Sequence, residues 1–429
     1  MDETGDPHQT QPSRALHAAL LAVPFAFVVL ATAGLTHPFR VYQGFDEGVH
    51  YGIVRSFAAV WPRPLLSGYP SWSGPFVYWL LAGLSRPLGG SLVACRLIMT
   101  VLSWATCVTA YVIFRDRLGA RPRTALVLAL LLAMSPFFFG ESFRMLTDNP
   151  AWLFVALAVE RLLAYLERPR GGALVGYAVF TALATLTRQL TAWLVLPALV
   201  VLLPDRTPAR RRVRPVAVAA CGLVPLAALL VAWGGLLPSG GVSTGPGGDG
   251  PRNILLALAV VGLWGVLLAP ADDLAGLPAR LRPTAWCVVG GAVALTVAAI
   301  AAGALSSLHG GDPYGLGLVG RLGESWWRID GTSGVWWVLA PLGAAVLVVL
   351  VITRLRDDRD RVLVVALVAL VLTSASSATW YERYVDFGVL LCLCGLVAAG
   401  SARVRGVDVL RWAGVLAISV VWTFTYGRF

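Results

Sequence analysis

The sequence predicts an all-α fold: a polytopic bundle of about thirteen membrane-spanning helices. Three observations predict it. First, hydrophobic residues make up 57% of the 429 and charged residues 13%, with a mean hydropathy of +0.74. A soluble chain runs at about 45–50% apolar and about 25% charged. A soluble core cannot hide that excess, whereas a bilayer can. Second, the apolar residues fall in runs of roughly membrane length. Third, the arginines cluster in alternate connections between those runs.

Residues 1–15 form a polar tail, and the apolar run after it, 16–36, lacks an A-x-A cleavage site and reads as an uncleaved first span. A long outer loop, 37–91, follows. It opens with HPFRVYQGFDEGVHYGIVRSF and continues with PFVYWLLAGLSRPLGG, too short and interrupted to span, which reads as an interfacial or re-entrant helix. Spans are then expected near 92–114, 124–139, 150–166, 172–187, 189–204, 215–237, 253–270, 284–305, 335–353, 362–377, 385–400 and 409–425. The pair 172–187 and 189–204 is parted only at Arg188, as a tight hairpin or as one broken helix. Two further outer loops are Gly-rich (238–252) and Trp-bearing (306–334). The organisation divides into the tail, a membrane module at 16–204 that carries the chemical motifs, and a second membrane module at 205–429.

All 34 basic residues are arginine and the pI is about 9.8. The clusters at 115–123, 168–170, 206–214, 279–282, 353–361 and 402–405 all fall on one side of the thirteen-span arrangement. By the positive-inside rule that side is cytoplasmic, with the N-terminus inside. The charge therefore serves topology and not nucleic acid. The six cysteines, at 95, 107, 221, 287, 392 and 394, have neither metal-ligand nor disulfide-framework spacing and read as small buried hydrophobes.

The chemistry is sought on the other side, where ionisable groups are few and need a reason. Asp46 and Glu47 sit in GFDEGVHYG. A shielded carboxylate there can accept a proton, or the pair can simply favour a helix N-terminus through the dipole. His50, four residues on, is placed to pair with Asp46 on a helix. In ESFRMLTDNPAW, Thr147 or Asp148 can cap a helix beginning at Pro150 or Ala151, or Asp148 can be a second functional carboxylate. Arg188 and Gln189 lie in TLTRQLTAW, where the positive-inside rule does not explain an arginine. Such an arginine either snorkels to the interface or offers its planar fork to a phosphate. Arg383 follows the same logic, with Glu382 and Tyr384 beside it in WYERY. Arg96 sits near the start of a span, as a ligand or as an interior structural contact. No His, Asp and Cys grouping suggests a resident metal. No cofactor is expected, and a divalent metal is left open.

The order of these motifs resembles the GT-C superfamily of membrane glycosyltransferases. It runs from a DE pair after the first span, through a GP-x-x-Y segment (GPFVYWL) and Arg96, to LTDNPA, TRQLTAW and WYERY. Within the superfamily it is most similar to the glucosyltransferases that add the terminal glucose of the lipid-linked N-glycan precursor. The likeness covers mainly residues 40–200 and the segment near 380. It departs in SWSGP, where those enzymes carry a Pro-rich run, and in Leu–Thr after the RQ pair. The resemblance implies a polyprenyl-phosphate sugar as donor and a glycan, lipid or protein hydroxyl as acceptor. It implies inversion on the extracytoplasmic face, with Asp46 as general base. Glu47 and Asp148 would assist, and Arg188, Gln189 and Arg383 would hold the donor phosphate. His50, Tyr78, Arg96, Thr147, Glu382 and Tyr384 would line the site, along with the helix at 76–88. A transporter or flippase of lipid-linked saccharides is the alternative of another class, and a catalytically silent protein of this fold is a third. The transporter reading predicts internal repeats with broken helices, and no internal repeat is evident in the sequence.

Overall fold

The structure, a computed structural model, describes residues 14–33, 46–66, 69, 71, 73–202, 209–235, 238, 250–305, 328–329, 332–376, 384–400 and 404–426. These residues are almost entirely helical. A two-residue antiparallel ladder, Arg328–Ile329 with Thr332–Ser333, precedes one of the helices.

The N-terminal half comprises α1 (Arg14–Ala33), α2 (Asp46–Val60), α3 (Phe76–Ser85), α4 (Leu92–Val112), α5 (Pro122–Ala133), α6 (Pro136–Glu141), α7 (Asp148–Glu167), α8 (Gly171–Thr187) and α9 (Val195–Leu202). The C-terminal half comprises α10 (Ala209–Cys221), α11 (Val224–Trp233), α12 (Gly250–Leu268), α13 (Ala271–Arg280), α14 (Pro283–Ala301), α15 (Gly334–Arg354), α16 (Asp358–Thr373), α17 (Asp386–Ala399) and α18 (Gly406–Tyr426).

Every expected apolar run falls on helix, and the chain is an integral membrane protein. Among the described residues five helical stretches are long and apolar enough to cross a bilayer: Leu92–Arg117, Asp148–Glu167, Gly250–Leu268, Pro283–Ala301 and Gly334–Arg354. The pair α10–α11, bent by 44°, is a sixth if taken as one span. The other runs are shorter helices, for local reasons. The run at 124–139 breaks before Pro136, which opens α6 because its missing N–H is not needed there. The runs at 172–187 and 189–204 form a tight hairpin and not one broken helix: the Tyr177 hydroxyl, midway along α8, reaches the Leu194 carbonyl beyond the break, so the chain turns back on itself. Arg188 alone is extended (φ −143°, ψ 116°), and a 3₁₀ stretch, Gln189–Leu194, leads into α9.

The stretch Asp46–Val60 after the first apolar run is helical, with the Asp46–Glu47 pair at its start. The helix at 76–88 is present as α3 plus a 3₁₀ turn, Arg86–Leu88. Four cysteines are buried as expected, but Cys221 and Cys287 are exposed. A thiol among apolar residues satisfies a lipid-facing position as well as a core one.

Close backbone packing unites the C-terminal half. A Cβ on Gly262 of α12 would collide with the Leu339 carbonyl of α15, and one on Gly343 with the Leu258 carbonyl. Small residues let helices approach where no hydrophobic effect drives them together. In the N-terminal half, polar pins do similar work. The Asn149 amide of α7 donates to Ser103 Oγ of α4 (2.9 Å) and to the Phe138 carbonyl (3.0 Å). The Trp104 indole donates to the Ala18 carbonyl of α1 (2.9 Å).

At one end of the bundle the arginine-rich connections meet. Arg117 donates to Glu160 (2.7 Å) and Glu167 (2.8 Å), both on the last turns of α7, and Arg359 donates to the Arg117 carbonyl (2.7 Å). Two of the predicted clusters, 115–123 and 353–361, thus meet there. Asp148, at the other end of α7, lies roughly 30 Å away at 1.5 Å per residue.

Helix α2 is pinned by a buried ion pair. Arg96 Nε donates to Glu47 Oε1 at 2.8 Å, its Nη2 takes the other carboxylate oxygen, and the Met145 amide completes Glu47 at 2.9 Å. Both side chains are under a tenth exposed. Removing one partner of such a pair strands a buried charge, at about 3–5 kcal/mol. Arg96→Ala and Glu47→Ala should each lower the unfolding midpoint sharply in detergent. The double substitution Glu47→Leu with Arg96→Met should lose less than either single one. Additive losses would show that the pair carries no coupling.

The topology has its own test. In a chain whose six cysteines are replaced by serine, Arg210→Cys should stay unlabelled by an impermeant reagent in intact cells. Ser243→Cys, in the Gly-rich outer loop, should be labelled. The opposite pattern would invert the arrangement.

Candidate functional site

The site is built where α7 begins and α8 breaks. The segment Leu146–Thr147 leads into α7 with Asp148 as its first residue. Thr147 does not cap the helix. It is already in the αR region (φ −85°, ψ −10°), which turns its hydroxyl away from the first-turn amides. Asp148 does not cap either, because it lies inside the helix and its carboxylate goes to an arginine. Asp148 Oδ1 is 2.9 Å from Arg188 Nη1, and its side chain is 3% exposed. The same Nη1 donates to Thr147 Oγ1 at 3.2 Å.

Arg188 can reach this point because it is the extended residue between two helical segments. Its amide still closes α8 on the Ala184 carbonyl (2.7 Å), and its carbonyl accepts from both the amide (3.0 Å) and the hydroxyl (2.8 Å) of Thr191. The guanidinium lies over the Tyr384 ring, 4.2 Å from its centroid, close enough for a cation–π contribution. Tyr384 and Val385 immediately precede α17, and Tyr384, the last residue of WYERY, meets Arg188 of the RQ motif. Arg188, Asp148, Thr191, Tyr384, Trp152 and Ser374 surround a small cleft whose remaining walls are mostly apolar. Gln189 is next in chain, and its Nε2 is buried without a hydrogen-bond partner among the described residues. An amide donor left unmade is costly, so this one suits a bound acceptor.

A second polar group adjoins the first. His50 Nδ1 is 2.6 Å from the Tyr78 hydroxyl, which is 3.2 Å from Ser71 Oγ. Ser71 Oγ accepts from the Ser73 amide (3.1 Å), Tyr69 donates to the Ser73 carbonyl (2.7 Å), and Ser73 Oγ is 3.0 Å from Thr147 Oγ1. Burial pushes the Tyr69 and Tyr78 phenols above their ordinary range, so both are neutral hydroxyls at working pH.

The structure therefore brings together Asp148, Arg188, Thr147 and Tyr384, with Gln189 adjacent, and joins His50 and Tyr78 to them through Ser71 and Ser73. His50 engages Tyr78 on the neighbouring helix, so its ring nitrogen is directed across to α3. Glu47 and Arg96 engage each other. Helix α3 is not among the residues around the Arg188 cleft, and its Tyr78 is linked to Thr147 through Ser71 and Ser73. Asp46 opens α2, but its side chain lies outside the described residues, as do Glu382 and Arg383. Among the described residues no three His, Cys, Asp or Glu side chains form a metal-binding group.

Three participants escaped the sequence reading. Ser71 and Ser73 stand in the segment that departs from the resembled pattern, and that departure was the available signal. Asp386, two residues beyond Tyr384, is buried and accepts from the Trp264 indole (2.7 Å). Nothing in its apolar neighbourhood marked it.

The family model described as dolichyl-phosphate-mannose-protein mannosyltransferase matches residues 72–233, less than half of the 429. The matched stretch contains Ser73, Thr147, Asp148, Arg188 and Gln189. No curated protein matches the chain in sequence. Among solved structures, the S. cerevisiae protein O-mannosyltransferase Pmt1-Pmt2 complex bound to the sugar donor is similar, with 18% identity and a TM-score of 0.42. That similarity covers 52% of this chain and 34% of that one, so the chain spans about a third of its length. ArnT from Cupriavidus metallidurans in the apo state is similar with 16% identity and a TM-score of 0.41, covering 90% of this chain and 78% of that one.

Proposed function

We propose that this chain is a membrane glycosyltransferase that moves a hexose from a polyprenyl-phosphate donor to an acceptor hydroxyl, with inversion. The reaction takes place on the face opposite the arginine-rich connections. The observation that carries this reading is Arg188, held between Asp148 and the Tyr384 ring at the mouth of a cleft beside the unpartnered Gln189 amide. The family match over residues 72–233 supports it by falling on Asp148, Arg188 and Gln189.

The chemistry needs two things. An acceptor hydroxyl must lose its proton as its oxygen attacks the anomeric carbon, and the sugar–phosphate bond must break as negative charge gathers on the departing polyprenyl phosphate. Asp46 is assigned the first task. The attacking oxygen's proton passes to its carboxylate, and the electron pair of the broken C–O bond leaves with the phosphate. Arg188 and Arg383 are assigned the second, since preorganised donors in a site shielded from water stabilise charge that develops there. Gln189 adds a neutral donor. Asp148 keeps Arg188 oriented before the donor arrives and offsets the cost of an otherwise isolated arginine near the membrane. The residues after 205 supply Tyr384 and Arg383 and complete the donor site. No cofactor enters this scheme.

The motif order resembles glucosyltransferases, so a glucosyl phosphate is the donor expected to turn over fastest, with a mannosyl phosphate as the comparison arm. Reconstituted protein supplied with both and with a lipid-linked oligosaccharide should release polyprenyl phosphate in step with sugar transfer. Movement of intact donor across the bilayer without transfer would favour the transporter instead.

Asp46→Asn keeps the side chain's size and removes its basicity. Turnover should fall about a hundred- to ten-thousand-fold, and activity within a few-fold of the parent would take Asp46 out of the mechanism. Arg188→Lys keeps the charge but loses the fork. It should raise the donor KM while acceptor KM holds, and Arg188→Ala should raise the donor KM further. Unchanged donor KM in both variants would remove Arg188 from the phosphate site.

A further inference from the structure

Ser73 and Gly74 lie against the end of α8 and the start of α7. The Gly74 amide donates to the Thr187 carbonyl (2.9 Å), the last residue before the break at Arg188. A Cβ on Gly74 would overlap the Leu186 carbonyl, so the two backbones are in direct contact and only glycine fits. One residue earlier, Ser73 Oγ reaches Thr147 Oγ1 (3.0 Å), and Thr147 Oγ1 in turn accepts from Arg188 Nη1 (3.2 Å). Ser73 itself is fixed from both sides. Its amide donates to Ser71 Oγ, and its carbonyl accepts from Tyr69, whose ring stacks on Trp233 with centroids 5.8 Å apart. The strap therefore holds the backbone of the break through Gly74 and the guanidinium of Arg188 through Ser73.

We propose that Ser73 is a positioning residue for Arg188, acting through Thr147 to set where the guanidinium meets the donor phosphate. The proposal rests on the donor-phosphate reading of Arg188. Its physical basis is the limited acceptor capacity around Nη1. Thr147 Oγ1 is shared between two neighbours, and a hydroxyl has one proton and two lone pairs. With Ser73 in place the Thr147 hydroxyl has a fixed direction and a lone pair facing Arg188. Without it the hydroxyl is free to rotate, and the guanidinium, still against Asp148 and the Tyr384 ring, loses a lone pair fixed toward it. An arginine held loosely binds a phosphate less well, because the ordering must then be supplied on binding.

The test uses the full chain in detergent or nanodiscs, with farnesyl phosphate as the probe and farnesol as the control for tail binding. Loss of one neutral hydrogen bond is worth about two- to twelvefold in affinity. Ser73→Ala is therefore expected to weaken farnesyl phosphate by about three- to tenfold and to leave farnesol unchanged. Ser73→Thr restores the hydroxyl and should restore the affinity, which a purely structural role for the strap does not predict. In an Arg188→Ala background, Ser73→Ala should cost nothing more, since residues in one network are not additive. Equal affinity for Ser73→Ala and the parent, or an undiminished loss in the Arg188→Ala background, overturns the proposal. If the parent binds farnesyl phosphate no better than farnesol, the donor reading fails and this role for Ser73 fails with it. A parent that discriminates while Ser73→Ala discriminates equally defeats only the strap.

Discussion

The structure depends most on how one interruption between helices is satisfied. Between Thr187 and Gln189 a single extended residue ends α8 and turns the chain back along it. At membrane depth such an interruption is tolerated only where the freed backbone groups find partners in the protein. Here three carbonyls at the interruption are met. Thr187 receives the Gly74 amide, Arg188 receives Thr191 twice, and the Tyr177 hydroxyl of α8 donates to the Leu194 carbonyl at the end of the 3₁₀ stretch. Because the backbone is settled in this way, Arg188 can turn its side chain toward Asp148 and Tyr384. The break, the glycine beside it and the start of α7 are thus one construction. The buried ion pair of Glu47 and Arg96 fastens α2 to it from the other side, through the Met145 amide three residues before Asp148.

Much of this was legible in the sequence. Apolar run length marked the helices, because burial in lipid is a property of local composition. Arg188 stood out because it sat on the wrong side for a topology signal, and the TD and RQ motifs proved to be the two halves of one ion pair. Arg96 was read as either a ligand or an interior contact, and the interior contact is what the structure shows. Other features were hidden for a common reason. Ser73 meets Thr147 across 74 residues of chain, and Trp264 meets Asp386 across 122. A hydroxyl in a loop or a carboxylate at a helix start carries no periodic signal of its partner, and only tertiary packing selects it. Helix ends were misjudged where competing bonds won. Thr147 looks like a cap by residue type, but its hydroxyl is claimed by Ser73 and Arg188. The helix start considered at Asp46 and Glu47 is present, and DEGVHYGIVRSFAAV forms α2, with Ile53, Val54 and Phe57 buried on one face.

The two halves of the bundle are held by different means. Hydrogen-bonded pins such as Asn149 tie α7 to α4, whereas bare backbone contact at Gly262 and Gly343 ties α12 to α15. The first kind is directional and fixes rotation about the helix axis. The second fixes distance, because nothing softer than a carbonyl stands at the contact. The cleft at Arg188 draws on both. Its walls from α7 come from the pinned half, and Tyr384, at the start of α17, comes from the other.

Helices α14 and α17 are equally apolar to the eye but live in different surroundings. Along α14 only Val289, Thr296 and Ile300 are buried, and Val288 and Leu295 point outward. Along α17 every residue from Asp386 to Ala398 is buried, with Gly388 and Gly395 closely packed against Trp152 and Leu363. Lipid asks of a residue only that it be greasy, whereas a packed interior asks for a particular volume. Over evolutionary time α14 is thus free to exchange one aliphatic residue for another, while α17 is held to its spelling. A stretch of invariance there would record the shape of a mould, and would say little about where the reaction happens.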